Sequence, residues 1–423
     1  MRNRVVVTGL GMLSAVGATR TDTFQALLAG KSGVAEAPAA ITCLMPSALA
    51  AVAGGFEHRL SRAELGLDRA TAMALLATRE AIDDAAFAPT AAQKEHVGVF
   101  SGIGLGGSHT LDGIYENYYE TREQKLASGR DPTVLHPLTV ARIMSNASAS
   151  AVSIEYGFTG PIQNYSVACA SSAIAIGEAY RAIQSGRLSA AVVVGAEAML
   201  VKGVFMGWTA MRVMATPRQG NVAASCRPFD RQRSGFVLGE GAAALVLERE
   251  EDVLVRGAKP YGRIVGFGST SDARHMTLPS EVGQTRAIRQ AIDESVEAGL
   301  PPDAVRYVNA HGTATQQGDI TETRSTRVAF GAHADRVAVS STKSMHGHLI
   351  GACGALEFGV SLMALRHGCM PPTANLDDVD PECDLDFITH EARHERELGA
   401  VMSNTFAFGG SNVSLIACRM DMQ

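Results

Sequence analysis

Short runs of β-branched residues alternate with helix-like segments along the whole chain. Before residue 255, the pattern predicts buried strands over 5–7, 97–100 and 191–194, and an amphipathic helix over 69–87. After residue 255 the alternation restarts, with strands predicted over 262–268, 305–309 and 337–341 and helices over 319–330 and 348–365. Strands that alternate with helices predict parallel sheets covered by helices.

The second part of the chain echoes the first. Residues 5–11 (VVVTGLG) resemble 263–268 (RIVGFG), and residues 235–242 resemble 407–412. Each of the latter two glycine turns leads into an apolar strand, 243–247 or 413–417. Since no low-complexity linker separates the parts, we predict a duplicated α/β unit with halves 1–255 and 256–423.

Composition excludes several classes of protein. The 423 residues are 46% hydrophobic and 19% charged, which argues against disorder. A net charge of −6 without basic clusters argues against nucleic-acid binding. Membrane insertion is not expected, because Glu197 interrupts the apolar run 188–201 and Glu357 interrupts 349–365.

The N-terminus imitates a signal peptide, because Arg2 and Arg4 precede an apolar stretch. Gly9 and Gly11 break that stretch early, which favours a first strand followed by a glycine turn. The cysteine count is seven, an odd number, and no CxxC pair is present. This disfavours a disulfide framework and a zinc knuckle, and it favours buried thiols in a reducing, cytoplasmic compartment.

A first candidate site residue is Cys169, which lies in the segment YSVACASSAI. A strand there runs into small residues and then a helix to about Ser185, so Cys169 is predicted at a strand-to-helix turn. The positive end of the helix dipole favours a thiolate, and the small neighbours let a substrate approach. An inert thiol packed beside alanines is the alternative reading of this segment.

Histidines follow two later strands. His311 comes directly after the predicted strand 305–309, at the strand end where open α/β sheets place their sites, although a structural role is also possible. His346 and His348 follow strand 337–341 at a spacing that imitates metal ligands. No carboxylate or cysteine stands at a helpful spacing, so we predict no metal. Lys343 is an available cation for Glu357, which needs a partner if it is buried.

A glycine turn closes the set of candidate segments. Phe408, Gly409 and Gly410 lie in the segment FAFGGSN. This segment is either an ordinary turn under a core aromatic residue or a mobile gate with free backbone N–H groups.

Together these segments resemble one family along nearly the whole chain, the elongating β-ketoacyl-[acyl-carrier-protein] synthases of the type I/II ketosynthase class. The ordered set ACASS, HGTAT, KSMHGH and FGGSN carries the resemblance, and RPFD followed by GFV adds support. The resemblance implies the thiolase fold, which is a five-layered α-β-α-β-α arrangement. It also implies a homodimer, with a heterodimer remaining possible.

The resemblance assigns roles to the candidate residues. Cys169 would be the acyl-accepting nucleophile of the first half, and His311 and His348 the catalytic pair of the second half. Lys343 and Glu357 would form a supporting ion pair. Phe408 would be the gate, and its backbone N–H would form the oxyanion hole together with the N–H of Cys169. The pantetheine channel would be lined by Thr313, Thr315, Gly409 and Gly410.

The implied reaction is a decarboxylative Claisen condensation of an acyl-cysteine with malonyl-acyl carrier protein, in fatty-acid, polyketide or polyene elongation. Two histidines, rather than a histidine and an asparagine, imply elongation rather than initiation. No resident cofactor is implied, because the 4′-phosphopantetheine arrives on the carrier protein. The carrier protein is acidic in this family, and the resemblance implies that Arg212 and Arg69 dock it.

Three features depart from the family pattern. His346 stands where threonine is common and Ser234 where aspartate is common. Residues 65–67 lie where many members place basic residues that face the carrier protein, and only Arg62 and Arg69 remain there. His109 falls near an apolar position of the acyl tunnel. An imidazole there leads to the hypothesis that the preferred acyl chain is shorter, more polar or less saturated.

Two rival readings remain. A non-catalytic chain-length subunit would lack the nucleophile, and a thiolase would carry a second catalytic cysteine motif.

Overall fold

The computed structural model describes residues 2–301 and 303–422 as a layered α/β structure. Its strands are β1 Val5–Leu13, β2 Val34–Glu36, β3 Leu49–Ala51, β4 Val97–Gly102, β5 Ile162–Tyr165, β6 Ala190–Glu197, β7 Leu238–Gly239, β8 Gly241–Arg249, β9 Gly262–Ser271, β10 Val305–Asn309, β11 Ala338–Ser340, β12 Cys369–Met370, β13 Asp386–Phe387, β14 Arg393–His394, β15 Ala400–Phe406 and β16 Ser411–Cys418. Its α-helices are α1 Arg20–Leu28, α2 Ala39–Thr42, α3 Arg69–Ala85, α4 Ala91–Lys94, α5 Ser108–Ala127, α6 Thr139–Ile143, α7 Ala147–Tyr156, α8 Ser171–Gln184, α9 Lys202–Ala210, α10 Glu250–Arg256, α11 Glu281–Glu297, α12 Gln316–Phe330, α13 Lys343–His346 and α14 Cys353–His367.

Eleven strands form one large mixed sheet with an internal symmetry. Strands β5-β4-β6-β8-β1 make up one half, and β9-β16-β15-β10-β11 make up the other, with β13 beyond β11. The halves join where β1 pairs antiparallel with β9. In chain order, the first to fifth strands of each half occupy the same five positions, so the two halves repeat one topology.

The same helix-on-strand contact occurs in both halves, and glycine makes it possible. A Cβ added to Gly11 on β1 would lie 1.9 Å from the backbone oxygen of Ala77 on α3. A Cβ added to Gly268 on β9 would lie 1.9 Å from the backbone oxygen of Ala287 on α11. Only a residue without Cβ allows such close packing, which explains the echo between the two glycine-bearing segments.

Helices α8 and α14 pack against each other between the two halves of the sheet. Every residue of α14 from Cys353 to Leu365 is buried, as expected for a helix that is apolar on nearly all sides. Helices α3 and α7 cover the outer face of the first half, and α11, with α12 packed against it, covers that of the second. The predicted five-layered arrangement is therefore confirmed.

The predicted strands and helices form, with shifted ends. The largest shift concerns the strand predicted over 5–7, which continues as β1 to Leu13 through Gly9 and Gly11, so the glycine turn expected there is wrong. The helix predicted over 348–365 begins at Cys353 after a 3₁₀ turn over Ile350–Ala352. Ile350 has a φ of +44° there, which a continuous helix does not allow. Within the described residues, no helix combines the length and apolar character needed to cross a membrane.

Candidate active site

The turn between β5 and α8 presents Cys169. Ala168 has a φ of +46°, and the turn is closed by Ser171, whose Oγ accepts the N–H of Val167 at 2.9 Å and donates to the carbonyl of Ala168 at 2.6 Å. The thiol is 5% exposed and opens into a cavity of about 320 Å³. The cysteine therefore lies at a strand-to-helix turn, as predicted, with access from solvent.

The structure brings both predicted histidines to this cysteine. The Nε2 atom of His348 lies 3.1 Å from the Sγ of Cys169. The ring of His311 stands edge-on to that of His348, with 5.4 Å between ring centroids. The potential ligand atoms of the three residues lie within 4.8 Å of one another.

The surroundings of His348 determine which ring nitrogen carries the proton. The backbone N–H of Ile350 donates to Nδ1 at 3.3 Å, so the proton of the neutral ring belongs on Nε2 and faces the thiol. The Sγ of Cys353 also lies 3.1 Å from Nδ1. An Nε2–H group suits hydrogen-bond donation to a substrate rather than metal ligation. The absence of a metal stays a prediction.

Burial keeps both histidines neutral. Burial is the largest cause that lowers the pKa of His311 and of His348 well below the usual value, and the nearby Lys343 cation adds to it. Two neutral imidazoles at one wall of a cavity can each donate one hydrogen bond without carrying charge. The Nδ1 of His311 has no hydrogen-bond partner among the described residues.

The thiol is held protonated at rest. Burial raises the pKa of Cys169 to about 12, opposed by Lys343 and by the backbone N–H groups of Phe408 and of Cys169 itself. Both N–H groups therefore face the sulfur. Two such donors at a reacting carbonyl form the arrangement that stabilises a tetrahedral oxyanion.

A buried ion pair lies behind the histidines. The Nζ of Lys343 is 2.5 Å from the Oε1 of Glu357, and both side chains are almost completely excluded from solvent. Burial alone would lower the pKa of Lys343, but Glu357 raises it above the usual value, so the lysine stays cationic. His346 lies beside the pair, 3.9 Å from Glu357, and donates to or accepts from Thr342 Oγ1 at 2.9 Å.

Sequence reasoning did not single out two carboxylates that support the His311 loop. Glu322 accepts the backbone N–H groups of His311 and Gly312 at 2.8 and 2.7 Å. Asp319 accepts that of Ala314 at 3.1 Å. Burial raises the pKa of Glu322 to about 7 and that of Asp319 to about 6. The sequence of α12, QQGDITETRSTRVAF, is mostly polar, so it held no signal that these two carboxylates are buried.

The predicted channel and gate residues line the same cavity. The hydroxyl oxygens of Thr313 and Thr315 lie 3.0 Å apart on its wall. The Phe408 ring lies over Trp208, with 6.0 Å between centroids, and stands at the opening beside Gly410. Gly409 has a φ of +85° and open space around its Cα, so the glycine pair allows backbone that other residues resist.

The two arginines predicted to dock the carrier protein lie in different surroundings. Arg212 lines the cavity opening, is exposed, and makes no ion pair within the described residues. Arg69, in contrast, is bound to the buried Glu240 at 2.7 Å, to Glu57 at 3.2 Å and to the carbonyl of Ala53. It therefore stabilises the fold, and the expectation that it docks a carrier is not supported.

His109 also differs from expectation. It lies exposed at the start of α5 and is not among the residues that line the cavity at Cys169. The hypothesis of a shorter or more polar acyl chain rested on an imidazole in the tunnel, so this chain alone gives it no support.

Comparison with known proteins agrees with this geometry. Residues 2–253 match the model of the beta-ketoacyl synthase N-terminal domain, and residues 261–377 match that of the C-terminal domain. The 3-oxoacyl-[acyl-carrier-protein] synthase 2 of Synechocystis sp. is 38% identical, with 98% of this chain and 97% of that protein covered. The chain belongs to the beta-ketoacyl synthase family.

Two solved structures show the same fold over the whole length. The ishigamide ketosynthase/chain length factor gives a TM-score of 0.85 at 30% identity, covering 99% of this chain and all of that one. A type II PKS acyl-carrier protein in complex with its ketosynthase bound to the hexaketide gives 0.87 at 25% identity, with both chains fully covered. These neighbours include a ketosynthase bound to a carrier protein and one associated with a chain length factor.

Proposed function

We propose that this protein is an acyltransferase that condenses an acyl group held on Cys169 with malonyl-acyl carrier protein to give 3-oxoacyl-acyl carrier protein. One observation carries the proposal: a thiol with its own oxyanion donors lies 3.1 Å from a neutral imidazole, with a second neutral imidazole beside it. The family membership and the names of the relatives agree with it.

The first step is acyl transfer. The Cys169 sulfur attacks the thioester carbonyl, whose oxygen becomes an oxyanion held by the N–H groups of Cys169 and Phe408. The carbon–sulfur bond to the carrier breaks, and the carrier thiol leaves with the proton. The hydroxyls of Thr313 and Thr315 are placed to bind the amides of the incoming pantetheine arm.

The second step is decarboxylation. The Nε2–H groups of His311 and His348 donate to the thioester carbonyl of the malonyl group, and the bond to the carboxylate breaks to release CO₂. The electron pair forms an enolate that the two donors stabilise. The enolate carbon then attacks the acyl-cysteine carbonyl, and Cys169 leaves as a thiolate that regains a proton.

A reconstituted assay with purified protein, acyl-carrier and malonyl-carrier tests the proposal. We expect mass spectrometry to find the acyl group on Cys169, and CO₂ to be released in step with 3-oxoacyl product. Cleavage of 3-oxoacyl esters by free coenzyme A would instead favour a thiolase. An unmodified Cys169 would favour the non-catalytic chain-length subunit.

The carrier protein docks at the cavity opening, where Arg212 is the exposed cation without an acidic partner among the described residues. We expect Arg212→Glu to weaken carrier binding roughly tenfold at low salt and less at high salt. Arg336→Glu is the matched control, because Arg336 precedes β11 at the opposite end of the parallel strands. An unchanged affinity for Arg212→Glu at low salt would remove this residue from the docking surface.

A homodimer completes the proposal. Strand β5 is the edge of the large sheet, and its Ile162 is 43% exposed. Exposed apolar side chains also lie on α5 and in the segment after it, namely Leu111, Tyr115, Tyr119, Val134, Leu135, Leu138 and Val140. An open edge beside an apolar surface favours a second copy. Light scattering should give a mass of twice 44.4 kDa. A monomer mass that doubles only when another ketosynthase-like chain is added would indicate a heterodimer.

A cytoplasmic location stays a prediction.

A further inference from the structure

Glu197 is a buried carboxylate that the proposed reaction does not use. It is the last residue of β6 and is fully excluded from solvent. Three backbone N–H groups donate to it, from Gly104 at 2.7 Å, Leu105 at 3.3 Å and Gly351 at 3.0 Å. Within the described part of the chain no cation pairs with it, so these three donors stabilise its charge.

The third donor belongs to a strained segment beside the active site. Ile350, which precedes Gly351, has a φ of +44°, and a β-branched residue is rarely found in this region. The N–H of Ile350 is the group that donates to Nδ1 of His348. The strained residue therefore stands between the bond that Glu197 makes and the bond that determines the tautomer of His348.

The backbone segments of Gly351 and Gly104 pack tightly against Glu197. A Cβ added to Gly351 would lie 2.8 Å from the Oε2 of Glu197 and 2.3 Å from the backbone nitrogen of Gly104. The carbonyl of Gly104 in turn accepts the hydroxyl of Ser166, three residues before Cys169. The carboxylate thus connects the loop after β4, which touches the nucleophile turn, to the loop that carries His348.

We propose that Glu197 is a positioning residue for His348: by binding the N–H of Gly351, it holds Ile350 in its left-handed conformation and keeps the His348 proton on Nε2. The inference deepens the proposed function and rests on it, because the Nε2–H group matters for decarboxylation. Acyl transfer depends instead on Cys169 and the N–H of Phe408, and Glu197 reaches the Cys169 turn only indirectly, through Gly104 and Ser166.

Glu197→Gln tests the proposal, because an amide offers one acceptor oxygen and places an NH₂ group against N–H donors. We expect CO₂ release from malonyl-carrier to fall about 100-fold, since small misplacement of a reacting group has effects of that size. Acyl transfer to Cys169 should fall less than tenfold. Glu248→Gln is the matched control, because this buried glutamate pairs opposite Ala190 at the far end of β6. Glu197→Asp, which retains the charge, replaces the glutamine variant if that one does not fold.

A second variant tests the route through Ile350. Glycine adopts positive φ without strain, so in Ile350→Gly the hydrogen bond from Gly351 to Glu197 is no longer needed to hold residue 350 in its left-handed conformation. We expect Glu197→Gln to reduce CO₂ release less than threefold when measured against Ile350→Gly alone. An equal loss of CO₂ release in both backgrounds would overturn the proposed route, as would an equal loss in the two half-reactions.

A measurement without substrate separates this inference from the proposed function. The ¹⁵N chemical shifts of labelled histidines report the tautomer, and the His348 signals are assigned by their loss in His348→Ala. We expect an Nε2–H tautomer in the wild type and an exchanging mixture in Glu197→Gln. An unchanged tautomer overturns the inference. A wild type that releases no CO₂ overturns the function, and the shifts then decide the inference alone.

Discussion

Helices α8 and α14 occupy equivalent places in the two halves of the sheet, and each begins beside a buried cysteine. Cys169 opens to the cavity and faces the N–H of Phe408, whereas Cys353 is completely buried between Nδ1 of His348 and Glu357. Both thiols lie at a helix N-terminus, whose partial charge favours a thiolate. If Cys169 is the nucleophile, as proposed, a helix terminus alone does not make one, because access to the cavity and oxyanion donors distinguish Cys169 from Cys353.

The largest expected effect tests this distinction directly. Cys169→Ala should reduce the rate of condensation by at least about 10⁴-fold, because removal of a nucleophile leaves only binding and the oxyanion hole. Cys353→Ala should retain activity within about tenfold, since Cys353 contacts His348 without facing the cavity. The measurement is product formation with saturating carriers. A comparable loss in Cys353→Ala would show that the second cysteine takes part in the chemistry.

The second half also carries a buried ion pair, between Lys343 on α13 and Glu357 on α14, and among the described residues no ion pair lies at the start of α8. Lys343→Met should reduce the free energy of unfolding by about 3–5 kcal/mol, because it leaves Glu357 charged and unpaired in the interior. The exposed pair of Arg393 with Asp386 provides the control, and Arg393→Met should cost at most about 1 kcal/mol.

Denaturant unfolding measures both changes. The double variant Lys343→Met with Glu357→Leu should be more stable than Lys343→Met alone, because no buried charge is left uncompensated. If the double variant is the less stable of the two, packing around the lysine stem, rather than its charge, determines the cost.

Sequence reasoning singled out Cys169, His311, His348 and Lys343 because each follows a strand in its own segment. It singled out Glu357 because this residue is a charge within an apolar helix, and the roles of all five came from the family resemblance. Sequence reasoning did not find the groups that orient them. Glu322 lies eleven residues after His311 in what looked like an ordinary helix, and Cys353 looked like one more buried thiol. The contact between Arg69 and Glu240 was also missed, because the two residues are 171 positions apart and no local pattern reports such a contact. The docking role of Arg69 stays a prediction.

The duplicated glycines allow the two halves to be compared in stability. Gly11→Ala and Gly268→Ala should each cost about 3 kcal/mol, because each added Cβ would lie 1.9 Å from a helix carbonyl oxygen that cannot move alone. Gly207→Ala on α9 is the control; no atom lies within 4 Å of the added Cβ, and alanine stabilises a helix by about 1 kcal/mol relative to glycine. Unequal losses at Gly11 and Gly268, measured by denaturant unfolding, would show that the repeated topology does not imply equal packing.

The smallest expected effect concerns His346. It is one of three buried, neutral histidines among the described residues, with His311 and His348, and all three lie in the second half. Burial lowers the pKa of His346 to about 3 from a usual 6.5, so below pH 6.5 the unfolded chain binds a proton that the folded chain does not. The folded state therefore loses stability as the pH falls, by about 1.4 kcal/mol per pH unit for this residue. Threonine does not titrate, so His346→Thr should gain that amount relative to the wild type for each unit between about pH 6 and pH 4.

The difference in unfolding free energy between the wild type and His346→Thr isolates His346, because the other buried groups with shifted pKa values near the site titrate in both proteins, namely Glu197, Glu322, Asp319, Glu357, His311 and His348. Urea unfolding at a series of pH values gives this difference, and above pH 7.5 it should be constant, since His346 is then neutral in the folded and unfolded states. Parallel stability curves between pH 6 and pH 4 would mean that His346 accepts a proton in the folded protein. In that case Glu357, 3.9 Å away, would be the partner that stabilises the added charge, and the ion pair behind His311 and His348 would include a third member.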